Sequence, residues 1–245
     1  MKDNFSRQSA DYAKYRPSYP NELFQFLNSL VEEHLYAWDC ATGNGQVAIA
    51  LTSYFQKVEA TDLSEKQITN AVLHDKINYR QEQAEHTSFA DQQFDLITVG
   101  QAIHWFNFVD FYAEAERVLK PGGILAIFGY PIPLVDELFD KTLLHFYQVL
   151  IGPYWDAERH YIDEHYQSIP FPYQEIETPS FNSKYEWSFE QLLGFLSTWS
   201  GVAHYKKQTG NDPIALYKKE LSTAWGSDPV KTITFEVFCK IGRKK

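Results

Sequence analysis

The chain has 245 residues, 44% hydrophobic and 22% charged, the profile of a globular protein long enough for one large core with an insertion. Its formal net charge of −10 argues against a nucleic-acid backbone as main partner, because Lys and Arg carry such binding. No apolar run is long enough to span a bilayer, and the opening MKDNFSRQSADYAKYR is polar where a signal peptide needs an apolar stretch, so a cytoplasmic protein without membrane contact is expected.

In chain order, short apolar runs alternate with longer amphipathic ones. Strands are expected at Leu35 to Asp39, Lys57 to Thr61, Ile77 to Arg80, Phe94 to Val99 and Ile124 to Tyr130. Helices are expected at Gln46 to Tyr54, Glu65 to Leu73 and Phe108 to Leu119, with Ser64 as N-cap and Gln67 placed for a capping box. Strands separated by helices imply right-handed crossovers and a doubly wound α/β fold with a mostly parallel sheet. Lys120-Pro121-Gly122-Gly123 reads as the turn before the fifth strand.

After Tyr130 the alternation stops and prolines punctuate the chain. Residues 131–180 read as an inserted helical cap on a single domain, too short and too broken to build much core, with one helix around Val135 to Leu150. A helix around Phe189 to Thr198, a strand at Asn182 to Trp187, a helix at Ile214 to Ala224 and an antiparallel last strand at 232–242 complete the reading. Residues 1–34 are expected to form an N-terminal lid in which Tyr12, Tyr15 and Arg16 fold over the site. Cys40 and Cys239 fall inside strands, so neither a disulfide nor a metal site is expected.

The first strand runs into DCATGNG at 39–45. Small residues at Ala41, Gly43 and Gly45 let the backbone approach a ligand, and the helix start that follows favours polar groups. Asp62 ends the next strand, where an acidic side chain can hold both ribose hydroxyls. Each feature alone is equally a tight turn or a helix cap; together they favour a nucleoside site. Asp39, just before the loop, would repel a diphosphate but accept a hydrogen bond from an ammonium group. S-adenosylmethionine carries an ammonium and no phosphate, so it fits the loop better than a dinucleotide.

The segments WDCATGNG, EATDLSEKQI, EQAEHTSFADQQFDLITVGQAIHWF and RVLKPGGILAIFG, in this order over residues 35–130, resemble the class I S-adenosylmethionine-dependent methyltransferases. The resemblance extends to the group that includes trans-aconitate methyltransferase-like proteins (the type 11 methyltransferase group). It implies a Rossmann-like methyltransferase fold, S-adenosyl-L-methionine as cofactor and methyl transfer to a small-molecule acceptor, a carboxylate or hydroxyl oxygen. Carried over by position, it places Asp39, Ala41 and Gly43 at the amino-acid end of the cofactor and Asp62 on the ribose, with Gly45 a further cofactor-binding residue of the same loop. It places Leu63, Ala84 and Glu85 around the adenine, and Gln101 and Ala102 along the cleft. Ala41 departs from the glycine often found there.

Beyond the fourth strand lies QAIHWF. His104 either orients or deprotonates the acceptor, or joins Trp105 in a wall of the site. Arg16, held extended by Pro17, is suited to a carboxylate, and Arg159 and His160 in the cap offer either a second anion contact or a plain surface role. Tyr15, Arg16, Trp105 and Arg159 are thus the candidate acceptor contacts. A cofactor-binding module without methyl transfer, and a methyltransferase acting on a macromolecule, remain as alternatives.

Overall fold

The computed structural model describes residues 15–245. Five strands form its parallel core: β1 (Tyr36–Cys40), β2 (Lys57–Asp62), β3 (Ile77–Gln81), β4 (Phe94–Gly100) and β5 (Leu119–Gly129). They lie in the order β3-β2-β1-β4-β5, so the chain winds outward on one side of β1 and returns to wind the other way from β4. The switch between β1 and β4 leaves a crevice beyond their carboxyl ends, the place where such sheets bind ligands. The DCATGNG loop follows β1 and the QAIHW stretch follows β4, so both border this crevice.

Alternation along the strands sorts side chains to two faces. Ala37, Leu96, Ile124 and Ala126 pack with Leu23, Phe24 and Leu27 of α1 (Asn21–Leu30) and with Val47 and Leu51 of α2 (Gln46–Leu51). Their neighbours Trp38, Ile97, Leu125 and Ile127 face the other way, onto Phe111, Ala115 and Val118 of α4 (Phe108–Val118). The short α3 (Glu65–Thr69) crosses between β2 and β3, capped by the Ser64 side chain. Residues 21–30, expected within a lid, thus cover a sheet face, whereas Tyr12 lies outside the described residues.

β5 starts five residues earlier than expected. Leu119 already pairs with Phe94, and the register shifts between Phe94 and Leu96 to absorb the Lys120–Gly123 stretch. Gly122 takes φ +78°, a conformation that glycine adopts without steric cost.

Beyond β5 come α5 (Glu137–His145), which continues into a wider turn at Phe146–Leu150, and the short α6 (His160–Asp163). After β6 (Gln174–Glu175) and β7 (Phe181–Trp187) come α7 (Phe189–Ser197), α8 (Ser200–Thr209) and α9 (Pro213–Trp225), then β8 (Lys231–Arg243). Phe139, Leu143, Phe146 and Ile151 share one buried cluster with Leu192, Phe195, Trp199, Leu221 and Trp225. The helices on both sides of β7 therefore build one core; of the segment expected as a cap over 131–180, the part up to Ile151 joins that layer, while Ile162, Tyr166 and Ile169 pack into the cluster with Trp38 and Phe111 on a sheet face.

β8 ties this layer to the sheet. Its second half, Phe238 to Arg243, pairs antiparallel with β5, and its last two residues also pair β6. Its first half, Lys231 to Val237, runs past the end of β5 and pairs with β7 instead. Along this single strand Phe235 belongs to the helical core, Ile241 to one sheet face, and Phe238 packs against the other.

Candidate active site at the switch point

The loop after β1 is built from left-handed residues. Ala41 has φ +56°, Gly43 +57° and Gly45 +84°. The methyl of Ala41 is compatible with this turn at a modest steric cost. A side chain at Gly45 would have to displace Tyr79, because a Cβ there would stand 2.2 Å from the Tyr79 hydroxyl. Gly43 is different: nothing lies within 4 Å of where its Cβ would be, so the loop presents bare backbone to open space.

Asp39 lies beneath that backbone, 1% exposed. Its carboxyl accepts hydrogen bonds from Thr42 Oγ1 at 2.5 Å and from Thr98 Oγ1, on the neighbouring β4, at 2.9 Å. Burial outweighs these bonds and, with the Asp62 charge nearby, pushes its pKa up to about 7. Asp62, at the end of β2, accepts from Gly43 N–H at 2.9 Å and from Ser64 N–H at 2.8 Å. The first two strand ends are thereby stitched together across the crevice mouth.

On the β4 side, Gln101 also takes a left-handed φ of +55°. Its backbone N–H donates to Phe128 O, while its side-chain amide both donates to Tyr130 O at 3.0 Å and accepts from Tyr130 N–H at 2.8 Å. This clamp fixes where the chain turns away from β4. Ala102 is buried behind it, and a tight helical turn follows at Ile103–Trp105.

That turn faces a pocket lined by Arg16, Gln101, His104, Trp105, Trp155, Asp156, Arg159 and Trp199, among others. Five of the sequence-predicted residues, Arg16, Gln101, His104, Trp105 and Arg159, therefore meet on it, from the N-terminal segment, the stretch after β4 and the helical layer. Arg159 is held through its Nε, which donates to Tyr147 Oη at 2.6 Å and lies 3.5 Å from Asp163 Oδ1. Its guanidinium sits 4.8 Å from the Trp155 ring centre and 5.2 Å from that of Tyr147. Arg16 reaches Tyr130 Oη at 3.3 Å and Thr198 O at 3.5 Å. His104 is 5% exposed, with Nδ1 3.0 Å from Tyr166 Oη. Burial, reinforced by the Arg159 charge, lowers its pKa to about 3, so the ring is neutral at physiological pH.

A model of the methyltransferase domain matches residues 38–127. A Dictyostelium discoideum protein described as a "putative methyltransferase" is 32% identical over 251 residues, covering 99% of this chain and 95% of the relative. The chain belongs to the class I S-adenosylmethionine-dependent methyltransferases. A solved "Putative Type II Methyltransferase" from Anaeromyxobacter dehalogenans superimposes with a TM-score of 0.87 at 33% identity, covering 94% of this chain and 98% of that one. A Bartonella henselae ubiquinone/menaquinone biosynthesis C-methyltransferase is 31% identical over 139 residues, 51% of this chain and 54% of the relative.

The residues of this methyltransferase fit S-adenosylmethionine. Open space over Gly43, backbone in place of side chains, and the Asp62 carboxylate at the loop suit a cationic nucleoside and would oppose a diphosphate. Among the other sequence-predicted contacts, Leu63 is half-buried and its carbonyl accepts from Gln81 Nε2 at 3.0 Å. Ala84 is buried, and Glu85 accepts from Asn107 N–H, joining its loop to the start of α4. Tyr15 packs against Gly194 of α7 and is not among the lining residues of the pocket.

Several participants escape a reading of motifs. Thr42 and Thr98 lie 3 and 59 positions from their partner Asp39; only the first is a local signal. Trp155 and Tyr166 lie in the aromatic-rich run at 152–166, whose composition suits a pocket wall but whose lack of periodicity carries no register to the pocket, and Tyr147 and Trp199 have no local signal that links them to it. No helix among the described residues is long and apolar enough to cross a membrane.

Proposed function

We propose that this methyltransferase methylates a small-molecule carboxylate bound between Arg16 and Arg159. The observation that supports this most is the state of Arg159. Its Nε is anchored by Tyr147, while its two terminal nitrogens have no hydrogen-bond partner among the described residues and belong to a pocket wall. That edge of a guanidinium matches the two oxygens of a carboxylate. Trp105, Trp155 and Trp199 provide apolar walls for the rest of a small acceptor.

The cofactor, when bound, supplies a methyl group on a sulfonium. An acceptor carboxylate is already ionised at neutral pH, so its oxygen attacks the methyl carbon as the C–S bond breaks. A methyl ester and a neutral thioether result, with no proton released. The protein's contribution is alignment and exclusion of water. Cationic Arg16 and Arg159 select the anion and hold it still. A carboxylate acceptor also accords with the resemblance to trans-aconitate methyltransferase-like proteins, and the net charge of −10 favours a small acceptor over a nucleic acid.

Methyl-labelled S-adenosylmethionine incubated with panels of carboxylates, phenols, amines and quinols tests this reading. Label released as methanol by mild base identifies an ester and supports it. Base-stable label on a ring carbon favours the second reading, C-methylation, which the Bartonella relative and the tryptophan walls suggest. Cofactor binding without label transfer to any panel member favours a binding module.

A further inference from the structure

Tyr166 plays no part in the chemistry described so far, yet its placement is specified at some cost. It follows α6 in a left-handed conformation, φ +61°, directly after His165 at φ +52°. Such a conformation is unfavourable for a large aromatic residue and persists only where packing over-determines it. The ring is completely buried, and it packs edge-on against Phe238 of β8 at 4.9 Å. Its backbone N–H is satisfied by Tyr161 O at 2.7 Å. Among the described residues, its hydroxyl has one hydrogen-bond partner, His104 Nδ1 at 3.0 Å.

A phenol has one proton to donate, and leaving it buried without an acceptor costs about 1–3 kcal/mol. If Nδ1 carried the imidazole proton, it would donate to Tyr166 Oη and the phenolic proton would have no acceptor among the described residues. If Nδ1 is bare, it accepts the phenolic proton and both groups are satisfied. A neutral imidazole with a bare Nδ1 carries its proton on Nε2. His104 lines the pocket, and Nε2 has no hydrogen-bond partner among the described residues.

We propose that Tyr166 is a positioning residue that locks His104 in its Nε2–H form, so that His104 donates a hydrogen bond to the acceptor oxygen instead of removing a proton. The role toward the acceptor rests on the carboxylate reading above; the tautomer does not. The neutral state needed for the lock is supported by burial and by Arg159, which both oppose the imidazolium. His104 then supplies a third donor beside Arg16 and Arg159. Acceptors that arrive as anions are served, whereas those that must lose a proton during methyl transfer receive no help from His104.

Histidine-selective 15N labelling and long-range 1H–15N correlation at neutral pH test the lock in the unliganded protein. The resonance of His104, one of eight histidines, is assigned by its loss in His104→Gln. A downfield, unprotonated Nδ1 with a protonated Nε2 is expected in the native protein, and a mixture of tautomers in Tyr166→Phe. A protonated Nδ1 in the native protein overturns the proposal, even if Tyr166→Phe fails to fold. The donor role is read from kinetics. Gln places an amide donor near the position of Nε2 but cannot act as a base, so His104→Gln is expected within ~10-fold of native kcat while His104→Ala falls by ~100-fold or more. Gln as poor as Ala overturns the donor role. A failure of every carboxylate to accept label strikes the substrate reading and leaves the tautomer measurement standing.

Discussion

Asp62 accepts a hydrogen bond from the backbone N–H of Gly43 at 2.9 Å, so the carboxylate that ends β2 and the barest point of the loop after β1 are one structural unit. Asp62→Ala removes both this bond and the one from Ser64 N–H. Calorimetry with S-adenosylhomocysteine is expected to show affinity reduced by ~10- to 100-fold, in line with the loss of one or two charge-assisted hydrogen bonds. Unchanged affinity would remove Asp62 from the cofactor site.

Asp39 gives stability a pH dependence. Its folded-state pKa of about 7 stands above the ordinary 3.8, so between these values the native state holds a proton that the unfolded chain has lost. Its contribution is therefore fully present below about pH 4 and declines as pH rises to about 7. Denaturant titrations across this window should show a contribution on the order of a few kcal/mol that is absent in Asp39→Asn. An identical slope in the variant would contradict the burial argument.

Gly45→Ala meets two obstacles, a φ of +84° and the Tyr79 hydroxyl at 2.2 Å from the new Cβ. Melting experiments should register a loss of roughly 1–3 kcal/mol, accompanied by weaker cofactor binding. Adding Tyr79→Phe is expected to recover only part of it, since the backbone strain remains. Full recovery would mean that the clash alone matters.

Arg159→Met keeps an unbranched apolar stem and removes the guanidinium with its charge. With a carboxylate acceptor, KM should rise by ~10- to 100-fold while cofactor affinity stays native, and Arg159→Lys should fall between the two because it cannot present a fork. An unaffected KM would place the acceptor elsewhere.

Gly201 lies at the start of α8, and a Cβ there would come within 2.9 Å of the Trp155 ring. Trp155 in turn covers the Arg159 guanidinium. Gly201→Ala should displace the indole, raising the acceptor KM several-fold through an altered pocket wall. Trp fluorescence would report the displacement, and a native KM alongside a shifted spectrum would show that this wall does not touch the acceptor.

The cofactor half of the fold was legible because its signals are local. Strand, loop, Asp39 and the small residues around it occupy one short run, and the strands β1, β4 and β5 each contain a short apolar run bounded by polar or turn residues. Helix α8 was not foreseen: Ser200 and Gly201 open it and the polar run Lys206-Lys207-Gln208 dilutes its apolar face. The same holds for the pocket. Arg16 and Arg159 stand out by charge, but Tyr147, Trp155 and Tyr166 act through contacts 12, 4 and 62 positions away on turns with no repeating pattern. Residues 131–180 looked too broken for a core because their partners, Leu192, Phe195 and Trp225, arrive much later.

The arrangement of β8 sets an order of assembly. It follows β5, β6 and β7 in the chain, yet all three pair with it. A nascent chain ending before Lys231 can already contain the parallel strands and the glycine loop, but lacks Phe235 from the helical core and Phe238 from the packing around Tyr166. The glycine-loop side of the crevice can therefore form on the ribosome before the pocket beyond it, and on the carboxylate reading proposed above a chain released early would be a receptor for the methyl donor with nowhere to deliver the methyl group.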